Sequence, residues 1–363
     1  MNGPRTPRRV LVWQWGRFGA GPRIAVLLAE GLRALPDVQV LLSLSKQAEI
    51  LRSSAPPACE LPVATYQGVV GFALRVLTAP LAVVALSRRL RRLKPDLAIC
   101  ALPGPLDLVM ASALRRVRVP FVAVIHDADP HPGDGSRVQM WLQRRLCRAA
   151  DWIACLSAHV GDRLRAQGLV RNGLIKLSHP PMGFNVPPPV PHDGPMRLLH
   201  FGRLLPYKGL DLLAEALAVV GPRSDMIVRV AGSGPESPEL DALRTLPNVT
   251  VENRWVPENE VGLLLAWSDA VVLPYREASQ SGVAAAALAA GRAVVATRVG
   301  GLGEQLAHAP RAVLCEPTAQ DLARALRDLV EDPPAPGATA QEPKNAWRDM
   351  AASLLDQVSA ARR

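Results

Sequence analysis

Aromatic residues are scarce in this chain, with Phe, Trp and Tyr together making up 4% of its 363 residues. A surface that binds single-stranded nucleic acid needs aromatic platforms set among its basic residues, and no such interleaving is present, so nucleic acid is not an expected partner. Cysteine is also sparse. Cys59, Cys100, Cys147, Cys155 and Cys315 form no C-x-x-C pair and are odd in number, which argues for reduced thiols over a disulfide framework or a zinc site. Long uninterrupted apolar runs are missing as well. The longest candidate, GVVGFALRVLTAPLAVVAL, carries Arg75 and Pro80 within a length that is marginal for a span, which argues against a membrane-crossing helix. Nor does the start read as a secretory leader, because the basic stretch Arg5 to Arg9 runs into VLVWQW and a Gly/Arg loop.

Positive charge is present in excess, at 42 Lys and Arg against 32 Asp and Glu, a formal net charge of +10. Much of it lies in the first half, at Arg88, Arg89, Arg91, Arg92 and Lys94, at Arg115, Arg116 and Arg118, and at Arg144, Arg145 and Arg148. The apolar stretch just before the first cluster reads either as a helix burying one face in its domain or as one that also rests on an anionic leaflet.

The chain is longer than one core usually supports, so two domains are expected. In the first half VLVWQW, VQVLLSL, LAICAL, FVAVIH and WIACLS alternate with helical segments, the pattern of a parallel sheet with right-handed crossovers. A second series, MRLLHF, MIVRVAG, VTVENRW, AVVLPY, AVVAT and AVLCE, follows a proline-rich stretch that cannot hold regular structure. The divisions read as a first domain over 1–180, a linker over 181–195, a second domain over 196–340 and a closing helix in 341–363.

Ligands of open parallel sheets bind at the carboxyl ends of strands, and the chemistry-bearing motifs lie there. Ser279-Gln280-Ser281-Gly282 joins an apolar strand to an Ala-rich helix, leaving backbone N–H groups where the helix dipole favours an anion. Ser281 acting only as a helix cap is the plainer reading. Arg203 and Lys208 follow MRLLHF around a proline turn, a planar fork and a point charge able to close on one diphosphate. A solvated basic loop is the alternative.

The order strand-GR-x4-KG, strand-G-x-G and strand-x3-E-x4-G-helix resembles the donor domain of the retaining GT-B glycosyltransferases, family 4 (group 1) in particular. The resemblance implies an α/β fold of two Rossmann-like domains whose parallel sheets face each other across a cleft. It implies that Arg203 and Lys208 bind a nucleotide diphosphate and that Glu277, the first acid of an E-x7-E motif, contacts the donor sugar. The second acid of that motif would fall at residue 285, where this chain has Ala285. Gln280, Ser281, Gly282 and Val283 are then assigned to the donor's phosphates. Gly232 and Gly234 are assigned to the donor pocket, since the G-x-G lacks the third glycine of a dinucleotide fingerprint.

In the first domain, Gly19 and Gly21 follow the first strand, where similar enzymes approach donor and acceptor with a glycine-rich loop; a tight turn is the plain alternative. His126, ending the strand FVAVI, is expected to touch the sugar or its leaving oxygen, with Asp127 orienting the ring or accepting a proton; simple capping of the strand competes with this. Asp127-Ala128-Asp129 matches a D-x-D metal pattern, but no metal is assigned, and no cofactor is expected beyond the nucleotide-diphosphate sugar itself. The expected activity is a retaining transfer from that donor to a hydroxyl of a glycan or lipid-diphosphate-linked acceptor, in surface polysaccharide assembly, at a cytoplasmic site or on the inner face of the plasma membrane. A sugar-nucleotide epimerase or a non-catalytic sugar-binding subunit are the competing readings.

Overall fold

A computed structural model describes residues 7–53, 55–133, 137–184, 186–188, 192–333 and 343–362. Asp134, Asn185 and 189–191 of the proline-rich stretch, and most of 332–344, lie outside the described residues.

Two units emerge from the contacts. The first comprises Met1–Asp129, Gly135–Ser178 and Lys344–Arg363, and the second Pro130–Asp134 and His179–Pro343. The first unit runs β1 (Arg8–Gln14), α1 (Ala20–Arg33), β2 (Val38–Leu44), α2 (Gly68–Leu77), α3 (Ala79–Leu93), β3 (Leu97–Cys100), α4 (Asp107–Val117), β4 (Phe121–Ile125), α5 (Arg137–Ala149), β5 (Trp152–Cys155), α6 (Ala158–Ala166) and β6 (Leu174–Lys176). The second runs β7 (Met196–Arg203), α7 (Leu210–Val220), β8 (Met226–Ser233), α8 (Pro238–Arg244), β9 (Val249–Asn253), α9 (Glu258–Trp267), β10 (Ala270–Leu273), α10 (Gly282–Ala289), β11 (Ala293–Thr297), α11 (Gly300–Leu306), β12 (Ala312–Cys315) and α12 (Ala319–Glu331). The last helix, α13 (Pro343–Ala361), groups with the first unit from Lys344 onward, where Gln357 Nε2 donates to the Lys176 carbonyl at 3.1 Å.

Each unit holds a six-stranded parallel sheet, ordered β2-β1-β3-β4-β5-β6 in the first and β12-β11-β10-β7-β8-β9 in the second. The α/β class and both parallel sheets were legible in the apolar runs, because strands covered on both faces need apolar side chains on both. The second unit shows this alternation directly. Leu198, Val228, Val230, Val272 and Val295 join one buried cluster, while Leu199, Ala231, Val271, Leu273 and Val294 join another. Only β6 escaped the pattern, since its three residues are too short to show a period.

In both sheets the first strand of the unit is flanked by strands the chain reaches in opposite directions, β2 and β3 beside β1, β8 and β10 beside β7. The loops after such neighbouring strands diverge to opposite faces, leaving a crevice at the strands' carboxyl ends. That crevice, between β7 and β10, is where the second unit gathers its polar side chains.

Candidate functional site

Arg203 closes β7, and its Nη2 donates to the Tyr207 hydroxyl at 2.7 Å. Lys208 ends the short turn Pro206–Lys208, placing its Nζ 4.9 Å from the Tyr207 ring centroid and 3.8 Å from that of Tyr275. Gly209 makes this approach feasible. It is left-handed (φ 68°), and a Cβ there would sit 1.8 Å from the Pro274 carbonyl oxygen, so only glycine lets the loop after β7 lie against the loop after β10.

Tyr275 is fully buried just beyond β10, its hydroxyl 3.4 Å from Ser281 Oγ. Burial pushes its phenol up to about 12, against the opposing pull of Ser281 and of the Arg203 charge. Ser281 in turn caps α10, its Oγ accepting from the Ala284 amide at 3.2 Å. Gln305 on α11 clasps the same residue from the other side: Ser281 N–H donates to Gln305 Oε1 at 2.8 Å and Gln305 Nε2 donates to the Ser281 carbonyl at 3.0 Å. The Ser281 amide is therefore engaged within the protein. The first-turn donors left without an intrahelical acceptor are those of Gly282 and Val283. Val283 also lies beside the GR motif, since a Cβ on Gly202 would meet its Cγ2 at 3.5 Å. Gln280 presents a buried Oε1 with no hydrogen-bond partner.

Beneath this arrangement His200 is buried in β7, with Nδ1 donating to the Val272 carbonyl at 3.1 Å. Burial, reinforced by the nearby Lys208 charge, brings its pKa down to about 4, so the ring is neutral near pH 7.

Glu277 is half-exposed, 3.6 Å from His131 Nδ1. His131 stacks on Tyr207 with ring centroids 4.7 Å apart and planes 13° from parallel. The neighbouring Arg276 pairs with Asp211 at 2.8 Å. Gly232 and Gly234 reach the same end of the sheet through the β7–β8 register, Gly202 opposite Gly232 and Arg203 opposite Ser233. Their role in the structure is close packing. A Cβ on Gly232 would lie 1.7 Å from the Gly202 oxygen, and both the amide and the carbonyl of Gly234 are bonded to the Asn253 side chain.

The first unit's candidates do not gather in this way. Gly19 precedes α1 with φ 75°, and Gly21 sits in its first turn over the Gln14 carboxamide. His126 is buried at 6% exposure with Nε2 donating to the Ala101 carbonyl at 2.9 Å, and burial lowers its pKa. This geometry favours the strand-capping role over a ring open to a sugar. The Asp127 carbonyl accepts from Gln143 at 2.6 Å, and Asp129 is held by Arg163 at 2.7 Å and Gln167 at 2.9 Å. Among the described residues no three His, Cys, Asp or Glu side chains are grouped to hold a metal ion.

Ala285 is 1% exposed on α10, and its carbonyl accepts from the Met182 amide at 3.1 Å. A segment following the first unit's last strand is thus hydrogen-bonded to the helix at the position where the second acid of the motif would stand. Sequence reading missed His131, Tyr207, Tyr275 and Gln305. A usable signal was the scarcity of tyrosine, since two of only 3 in the chain sit within this constellation.

A family model described as "Glycosyl transferases group 1" matches residues 195–332, and one described as "Glycosyltransferase Family 4" matches residues 22–180. The glycogen synthase of Mycobacterium tuberculosis is 30% identical over 262 residues, which cover 67% of this chain and 61% of that protein. The GDP-mannose:glycolipid 4-beta-D-mannosyltransferase of Xanthomonas campestris pv. campestris is 29% identical over 203 residues, 50% of this chain and 51% of that protein. The matched region thus spans about half to three fifths of these relatives. The crystal structure of Anabaena HepE in complex with UDP and glucose superposes with a TM-score of 0.68 over 97% of this chain and 98% of that one, at 19% identity, a likeness of fold.

Proposed function

This chain belongs to the group 1 glycosyltransferases of the GT-B type, and we propose that it transfers a sugar from a nucleotide-diphosphate donor to an acceptor hydroxyl with retention of anomeric configuration. The observation that carries this reading is that Arg203 and Lys208 gather at Tyr207, while Lys208 also meets the ring of Tyr275, whose hydroxyl lies beside the Ser281 cap of α10.

Sugar transfer breaks the bond between the anomeric carbon and the diphosphate oxygen and forms one from that carbon to the acceptor oxygen. The acceptor's proton leaves with the nucleoside diphosphate. Negative charge builds on the departing diphosphate as the anomeric carbon becomes cationic, so fixed donors aimed at the leaving group lower the barrier. Arg203 and Lys208 supply two cations, and the Gly282 and Val283 amides supply oriented dipoles. Glu277 positions the donor's hydroxyls, with His131 orienting its carboxylate. This reading gives charge neutralisation to side chains and needs no metal or enzyme nucleophile. His126 fixes the β3 and β4 ends and is not assigned to the sugar.

The acceptor is read as a glycan or lipid-diphosphate-linked glycan in surface polysaccharide assembly. The Xanthomonas relative, whose name gives a GDP-sugar donor and a glycolipid acceptor, supports this. A lipid-linked acceptor resides in a bilayer, so the reading includes a peripheral position on an anionic membrane face.

The test is incubation with nucleotide sugars and an acceptor extract, following nucleoside diphosphate release and the anomeric configuration of the product by NMR. Acceptor-dependent release with a retained anomer is expected. Conversion of one sugar nucleotide into another without acceptor would establish the epimerase reading in its place.

A further inference from the structure

Helix α2, GVVGFALRVL, buries none of its 10 residues. Val69 and Val70 are each 85% exposed and Leu77 is 78% exposed, and Leu81 at the start of α3 is 73% exposed. Exposure of contiguous large aliphatic residues on this scale costs solubility and marks a contact surface. The surface extends onto α5. A cavity of about 340 Å³ is walled by Val69 and Phe72 of α2, Val138 and Leu142 of α5, and Arg17 and Pro105 from the loops after β1 and β3. Val138 and Trp141 on α5 are exposed as well.

The charges on the helices that form this apolar face have one sign. The sequence has no Asp or Glu from 61 to 95, nor from 137 to 150. Within those spans stand Arg88, Arg89, Arg91, Arg92 and Lys94 on and just after α3, and Arg137, Arg144, Arg145 and Arg148 on α5, all exposed. Arg145 lies over the exposed Trp141 ring at 4.9 Å, an amphipathic ring beside a cation, the pairing suited to a headgroup layer. Among the described residues no single helix is long and apolar enough to cross a bilayer, and α2 and α3 meet at a bend of 70°. An apolar helix too short to span, fringed by arginine and free of acids, fits the boundary between headgroups and acyl chains.

We propose that α2, the start of α3 and the exposed face of α5 form a docking surface for an anionic phospholipid bilayer, with the cavity between α2 and α5 opening onto it. The inference names the residues behind the membrane position in the preceding reading and rests on that part of it. It is independent of the donor site, which lies in the other unit.

The experiment is vesicle flotation of the full chain with phosphatidylcholine vesicles and with an equimolar mixture of phosphatidylcholine and phosphatidylglycerol. UDP and GDP thermal shifts are recorded on the same preparations. The wild type is expected to float with the anionic vesicles only. Val70→Asp with Leu77→Asp should weaken binding at least about tenfold. Arg144→Glu with Arg145→Glu should weaken it roughly fivefold or more per arginine. The nucleotide shifts should persist in both variants, because the substituted residues are exposed and belong to the other unit. Failure to float on anionic vesicles, or floating that both variants retain, would overturn the inference even with nucleotide shifts intact. Concentration-dependent dimerisation abolished by Val70→Asp, without vesicle binding, would assign the face to a second copy of the chain and equally overturn it.

Discussion

The ammonium of Lys208 lies 3.8 Å from the centroid of the Tyr275 ring, and that ring's hydroxyl reaches to within 3.4 Å of the Ser281 cap. One buried phenol therefore ties the basic loop after β7 to the start of α10. The distance between cation and helix N-terminus is set by a rigid core residue instead of by two mobile surface loops. A site meant to meet charge as it develops gains from such pre-organisation, since little reorientation is left to do.

Tyr275 can be divided by substitution. Tyr275→Phe keeps the ring under Lys208 and loses only the hydroxyl, so nucleotide-diphosphate affinity should change less than about threefold. Tyr275→Leu removes the ring face, and affinity should fall by about fivefold, corresponding to roughly 1 kcal/mol of cation–π attraction. Calorimetric titration with UDP and GDP reads both. Equal losses in the two variants would show that the hydroxyl, not the ring, sets the site.

Gln305→Ala removes both hydrogen bonds that clasp the Ser281 backbone. The variant should lose roughly 1–2 kcal/mol of stability in urea denaturation. Its nucleotide affinity should fall with it, because the α10 N-terminus is no longer held in place. Unchanged affinity would separate the clasp from the site.

Ala285→Glu restores the acid of the family pattern in sequence but not in space. The position is 1% exposed, so the new carboxylate must be buried or must displace its neighbours. A loss of about 3 kcal/mol of stability with no gain in nucleotide affinity is expected. A tighter, equally stable variant would contradict this account of the missing acid.

Two buried groups give opposite pH dependences. Burial raises the Asp107 carboxyl to about 6 from 3.8, against the opposing Gly104 amide and Cys100 thiol. Its contribution is present below about pH 4 and is lost as pH rises through 6. His200, lowered from 6.5 to about 4, contributes above about pH 6.5, and that contribution is lost as pH falls toward 4. Asp107→Asn should therefore stabilise the protein above pH 6 by roughly 1–3 kcal/mol and leave it little changed at pH 4. His200→Asn should flatten the acid-side loss between pH 6.5 and 4. Denaturation midpoints across this range check both, and a variant that shifts stability equally at every pH would refute the assignment for its residue.

The parallel sheets were legible because the central strands β3, β4, β5, β10 and β11 are largely apolar runs buried along their whole length. The final glycine of GR-x4-KG was legible because only glycine lets the loop after β7 lie against the loop after β10. Contacts between residues far apart in sequence were not. Nothing local tells that Gln305 reaches Ser281, that His131 meets Glu277, or that the Met182 amide bonds the Ala285 carbonyl. Equally, nothing local tells that the loop after β3 brings the Ala101 carbonyl to His126 Nε2.

Arg203 and Lys208, with the α10 amides, are proposed to hold a nucleotide diphosphate. Thermal-shift measurement against a panel of uridine, guanosine and thymidine diphospho-sugars tests this most directly, because a ligand bound only by the folded state raises the melting temperature by mass action. At least one donor should shift the wild type, and Arg203→Ala and Lys208→Ala should each abolish that shift while melting close to wild type without ligand. A flat response across the whole panel, or a shift that survives both substitutions, would contradict the claim.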